Sequence, residues 1–189
     1  MTAFFKVIRP EIPVDHAEAF IGEYLWHMAV TADATEPELV QVLGPKFHVT
    51  APGGDGLVIR RGEQLRFTVW EIKKRRSSDI SSAVREAYDQ LTRQATEYLA
   101  EYSAPEQVIA DAATARFFGR LVEAWINGEV DARAGVAVTS SHAPARCFTT
   151  MGNYFTQLVA DDSRHGMTLV VPDFPAFAHR VRELLWTGL

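Results

Sequence analysis

Residues 64–73 read QLRFTVWEIK. The density of Val, Ile, Thr, Phe and Trp predicts a strand, and a strand sends alternate side chains to opposite faces. Leu65, Phe67, Val69, Glu71 and Lys73 therefore share one row, and Arg66, Thr68, Trp70, Ile72 and Lys74 share the other. The first row starts apolar and ends charged. Burying a lone carboxylate or ammonium is costly, so a Glu and a Lys closing a core row imply mutual pairing, a bound metal or an open cleft.

The rest of the chain supplies a frame for that strand. Residues 14–30, VDHAEAFIGEYLWHMAV, carry Phe20, Ile21, Tyr24, Leu25 and Met28 at helical spacing. A turn-rich link containing Pro37 and Pro45 follows, and KFHVT (46–50), DGLVIR (55–60) and QLRFTVWEIK are expected to form a three-strand meander joined by APGG and RGE turns. From Asp79 to about Tyr102, Ile80, Val84, Ala87, Leu91, Ala95 and Tyr98 make an apolar helical stripe entered through Ser77, Ser78 and Asp79, all good N-cap residues. A further helix is expected from Pro105 to about Ile126, closed by Asn127 and Gly128. AGVAVTS (134–140) and GMTLVVPD (166–173) suit buried strands, and FPAFAHRVRELLW reads as a closing amphipathic helix. This order implies an α/β fold with a mixed sheet, antiparallel in its hairpin part.

At 189 residues with 47% apolar types, the chain fits a single domain, residues 1–189. The N-terminal stretch has no long apolar segment, and no stretch approaches the roughly 20 apolar residues that span a bilayer, so no membrane partner is expected. A single cysteine, Cys147, excludes an internal disulfide framework and a thiolate-rich zinc site, which points to a cytoplasmic protein. Net charge is −5, so any polyanion site must be local. Arg60, Arg61, Arg66, Lys73, Lys74, Arg75 and Arg76 place seven of the 19 basic residues in one short span. His16, His27, His142, His165 and His179 show no pair at metal-ligand spacing, and His48, on the expected strand before Asp55, reads as a hydrogen-bonded or exposed histidine near the rim of the cleft.

A hairpin can bring the carboxylate of Asp55, which follows Gly53 and Gly54, beside that of Glu71. Two adjacent carboxylates repel, and a divalent cation relieves the repulsion. Hard oxygen ligands without thiolate or paired imidazoles favour Mg2+ or Mn2+ over zinc. Two carboxylates and a lysine so arranged can hydrolyse a phosphodiester: the cation lowers the pKa of water and balances charge on phosphorus, while Lys73 positions the water or neutralises the transition state.

Asp55 followed by Glu71-Ile72-Lys73, on a hairpin between two helices, resembles the PD-(D/E)XK nuclease superfamily over about residues 18–140. The proline of that name is displaced: Pro52 precedes Asp55 by three residues. The resemblance implies a restriction-endonuclease-like α-β-β-β-α-β core, about residues 14–140, with residues 141–189 as a strand-helix extension. It implies Asp55, Glu71 and Lys73 as catalytic residues, and a metal held by Asp55, Glu71 and a first-helix carboxylate, Glu23, with Glu18 as its rival. QATEY (94–98) is similar to the Gln-x-x-x-Tyr element of RecB-type nucleases, which puts Gln94 with Lys74, Arg75 and Arg76 as DNA-binding residues. GEYLWHM, GGDGLVI and WEIKKR are also similar to nuclease subunits of helicase-associated phage-defence systems such as Hachiman. The implied activity is a Mg2+- or Mn2+-dependent deoxyribonuclease in defence, restriction or repair. Its implied partners are DNA, a helicase or recognition subunit, or a second copy of the chain. The competing readings are a non-catalytic DNA- or protein-binding subunit on the same fold, and a hydrolase of a non-nucleic-acid phosphate ester.

Overall fold

The computed structural model describes residues 13–33, 37–44, 54–103, 112–144 and 148–187, with the side chain of Trp186 excepted. Gly53, Pro52, His48, Pro105 and Cys147 lie outside the described residues, as does the expected strand 46–50. In order, the elements are α1 (Val14–Ala32), β1 (Glu38–Leu43), β2 (Gly56–Arg61), β3 (Leu65–Arg75), α2 (Ser81–Tyr102), α3 (Ala112–Phe118), α4 (Leu121–Ile126), β4 (Ala132–Ser140), α5 (Met151–Tyr154), β5 (Arg164–Val170) and α6 (Phe174–Thr187). The strands form one five-stranded mixed sheet in chain order. β1, β2 and β3 are antiparallel neighbours, whereas β4 lies parallel to β3 and β5 parallel to β4. A parallel neighbour needs a crossover, and α2, α3 and α4 provide it between β3 and β4.

Helices cover both faces of the sheet. On one face α2 buries Val84, Ala87, Leu91, Ala95 and Tyr98 against Leu57, Ile59, Phe67, Val69, Val136 and Val138. On the other, Trp26 and Val30 of α1 pack on Val58, Trp70, Ile72 and Ala137. There α6 also meets α1, through Ile21, Phe174 and Ala178. The two rows of β3 thus separate as their alternation requires, Phe67 and Val69 to the α2 side and Trp70 and Ile72 to the α1 side. Asp79 fixes the start of α2, accepting a 2.9 Å hydrogen bond from the Ser81 amide through Oδ1. That bond holds the Asp79 carboxyl below its ordinary pKa.

Four expectations need correction. The first described strand is β1, inside what reads as a link; a bulge between Leu39 and Gln41 breaks its period of two, so Leu39 and Val42 face one cluster while Val40 and Leu43 face the other. The helix expected to run unbroken to Ile126 is interrupted at Gly119 and Arg120, between α3 and α4, where glycine has low helical propensity. β5 is a half-exposed edge strand rather than a buried one. In α1, Phe20 and Ile21 are buried as expected, but Glu18, Gly22, Trp26 and Val30 are buried with them, whereas Tyr24 and Met28 are exposed.

Two glycines make room for two tryptophans. A Cβ on Gly56 would overlap the fully buried Trp26 ring, and one on Gly135 would overlap the Trp70 ring. Trp26 and Trp70 pack with ring centroids 5.8 Å apart and bind α1 to the sheet. Gly56→Ala is therefore expected to destabilise the fold by about 1–3 kcal/mol through overpacking. Urea unfolding would measure it, and an unchanged midpoint would contradict this packing.

Candidate active site

The site is built on the β2–β3 register. Gly56 pairs with Trp70 and Leu57 with Val69, which carries Asp55 to a place opposite Glu71. The Asp55 amide donates to the Trp70 carbonyl at 2.9 Å, and Asp55 Oδ2 accepts from the Ile72 amide at 2.6 Å. The carboxylate is thereby tied to the strand that bears its partner. Gly54 is required beside it, because a Cβ there would lie 2.9 Å from Val69 Cγ1 and 3.2 Å from the Trp70 carbonyl oxygen.

Glu71 is 0% exposed. Lys73 Nζ donates to Glu71 Oε1 at 2.6 Å and to Gln90 Oε1 of α2 at 2.8 Å. The other oxygen of Glu71, Oε2, is buried without a hydrogen-bond donor. The carboxyl groups of Glu71 and Asp55 are close enough to hydrogen-bond when one is protonated. Burial raises the Asp55 carboxyl, against the opposing pull of Lys73 and the Ile72 amide. Burial first, and then the Asp55 charge, holds Glu71 well above the carboxylate range.

Two more groups feel this centre. Burial and the Asp55 charge push Glu23 up to about 8, with Lys73 working in the other direction. Tyr98 is raised by burial, by Tyr102, and then by the charges of Asp55 and Glu71. Asp55, Glu71 and Glu23 against Lys73 leave two excess negative charges when all are ionised, and the upward pKa directions are what such an imbalance produces.

The chain matches no known protein family model, and no curated protein matches it.

The structure separates the two rival glutamates of α1. Glu23 lies within electrostatic reach of Asp55 and Lys73. Glu18, 2% exposed, instead takes Lys74 Nζ at 2.9 Å and Arg76 Nη2 at 3.4 Å. The basic run is occupied in the same way: Lys74 also meets Asp15 at 2.9 Å, and Arg75 meets Glu86 at 2.6 Å. Arg76, with its side chain 72% exposed, is the most open of the three. Gln94 sits one turn after Gln90 on α2 and is partly buried. Gln90, absent from the sequence-based candidates, is the amide on Lys73. Its signal was the i, i+4, i+8 series Gln90, Gln94, Tyr98, which marks one side of the helix.

Among the described residues, no group of three or more His, Cys, Asp or Glu side chains is arranged to hold a metal ion. Of the expected trio Asp55, Glu71 and Glu23, Glu23 is linked to Asp55 here through charge. Asp55 and Glu71 nonetheless fit a hard divalent cation: both offer oxygen, and Glu71 Oε2 has no donor. Mg2+ characteristically takes one or two carboxylates and keeps several waters.

The raised Glu23 sets a pH dependence. Between its unfolded value near 4.5 and its folded value of about 8, the folded chain binds more protons than the unfolded one, so its contribution to stability falls as pH rises. Glu23→Gln is expected to stabilise the protein by about 1 kcal/mol at pH 8, and by little at pH 4. Chemical denaturation at both values checks this; an equal effect at the two would contradict it.

Proposed function

We propose that this chain is a Mg2+- or Mn2+-dependent deoxyribonuclease on a restriction-endonuclease-like core. The observation that carries the reading is the buried Asp55–Glu71 carboxyl pair with Lys73 bound to its edge. The element order supports it: helix, three antiparallel strands, helices, then a strand parallel to β3, as an α-β-β-β-α-β core requires.

Each residue has a distinct task in this reading. Asp55 and Glu71 hold the divalent cation, with the Ile72 amide fixing the Asp55 carboxylate. The cation, when bound, supplies Lewis acidity and a more acidic water. Lys73, held between Glu71 and Gln90, keeps its ammonium at the rim, where it neutralises charge developing on the phosphate. Glu23 adds negative potential that favours the cation, and Tyr98 closes the α2 side of the site and restricts water. Gln94 and Arg76 meet the strand beyond the site. Lys74 and Arg75 already face carboxylates, so little of the charge just beyond Lys73 is open to a phosphate backbone, which supports a helicase or recognition subunit that delivers the DNA.

The same ion pairing favours a second reading, a binding subunit that keeps the fold without catalysis. Incubation of plasmid and single-stranded DNA with Mg2+ or Mn2+ separates the two. Cleavage is expected with metal and absent in EDTA, and Lys73→Ala or Asp55→Asn is expected to lower the rate by about a hundredfold or more. Circular dichroism confirms that each variant is folded. Cleavage that persists in EDTA or in both folded variants would falsify the assignment; metal binding without cleavage would establish the second reading.

A further inference from the structure

A second polar site lies on the other face of the sheet, toward the opposite end of β3. There a cavity of about 270 Å3 is lined by Arg60, Arg66, Arg133, His165 and Trp70, among others. Four adjacent strands contribute one cationic or imidazole side chain each. Arg60 pairs with Arg66 across β2 and β3, Arg133 sits opposite Thr68 on β4, and His165 sits opposite Gly135 on β5. Strand alternation puts all four on the face of Val58, Trp70 and Ala137.

Their charges are unevenly answered. Arg60 is satisfied by Asp33 Oδ2 at 2.8 Å and the Pro37 carbonyl at 3.0 Å. Arg66 and Arg133 have no ion pair among the described residues, and the buried Nε of each lacks an acceptor. Trp70 Nε1, also buried, lacks one too. Arg133 Nη1 is 3.2 Å from His165 Nε2; guanidinium only donates, so that nitrogen accepts and the ring proton lies on Nδ1. Burial, then Arg133 and Arg60, keep His165 low and neutral. With Arg60 and Asp33 cancelling, Arg66 and Arg133 bring two guanidinium groups to the cavity without an ion pair among the described residues, Asp162 and Asp131 acting on Arg133 through charge alone.

We propose that this cavity binds the phosphate group of a small phosphomonoester, no larger than a mononucleotide. A phosphomonoester carries close to two negative charges at neutral pH and three strong acceptor oxygens, which match the two guanidinium groups. A monocarboxylate would balance only half of the charge. The cavity lies just below the usual range for ligand pockets, about 300–1,000 Å3, which suits a small ligand. Val58 and Met167, also in its lining, give the ester group an apolar contact. This site shares no residue with the Asp55–Glu71 centre and does not depend on the nuclease reading.

Thermal shift and calorimetry test it on the full chain in EDTA, which keeps metal-bound phosphate out of the signal. The probes are inorganic phosphate, adenosine 5′-monophosphate, a 5′-phosphorylated oligonucleotide and acetate. Phosphate and the nucleotide are expected to raise the melting temperature of the wild type and of Asp55→Asn alike. Affinity should fall about tenfold or more in Arg66→Gln and in Arg133→Gln. Neither arginine is in an ion pair among the described residues, and circular dichroism checks that both variants fold; Arg66→Lys is the second variant, expected to bind weakly because one amine cannot copy the guanidinium fork. Binding of the oligonucleotide but not the nucleotide would overturn the size argument. Equal affinity in the wild type and the arginine variants, or acetate binding as tightly as phosphate, would overturn the site.

Discussion

The pairing of β2 with β3 is the contact on which the other features rest. Because Gly56 lies opposite Trp70, Asp55 lies opposite Glu71, and the Ile72 amide fixes the Asp55 side chain as though it continued the ladder. A shift of one residue would turn Glu71 and Lys73 toward α1 and bring Trp70 and Ile72 under α2. The Trp26 and Trp70 rings oppose such a slip, since each occupies space that only a glycine leaves open. One register thus specifies both the apolar core and the place where carboxylates meet.

Charge is distributed around β3 rather than gathered in a single patch. On the α2 side, with Glu23 reaching the pair from α1, carboxyls outnumber the one ammonium and their pKa values rise. At the C-terminal end of the other row, Lys74 and Arg76 neutralise Glu18 and Asp15 and so anchor α1. At the N-terminal end, Arg66 and Arg133 have no ion pair among the described residues. Three segments of one basic run therefore do three different things. The anchor also explains how α1 tolerates a glutamate in its buried row: a buried carboxylate is costly unless paired, and Glu18 has two cations within 3.4 Å.

Much of the α/β order was legible because it is written in residue types with a clear period. The stripe from Val84 to Tyr98 predicts the buried side of α2, and the alternation from Leu65 to Lys73 predicts the row that ends in Glu71 and Lys73. Other features depend on distant partners. Part of the buried face of α1 was hidden because Glu18 and Gly22 are not apolar; their burial follows from Lys74, 56 residues from Glu18, and from Thr139, whose Oγ1 would lie 3.2 Å from a Cβ at Gly22. β1 was hidden by its bulge, and the cavity by the fact that Arg133 and His165 join Arg60 and Arg66 only once the parallel strands are placed. Gln90 and Gln94 are the same residue type one turn apart, so only the folded helix identifies the one that holds Lys73.

The central claim is that Asp55 and Glu71 together form a divalent-cation site. Calorimetric titration of the purified protein with Mn2+, beside Glu71→Gln, tests it without relying on any nucleic-acid substrate. The account predicts one saturable binding event in the wild type that is lost in Glu71→Gln while the fold is retained. Identical heats in the two proteins would contradict it.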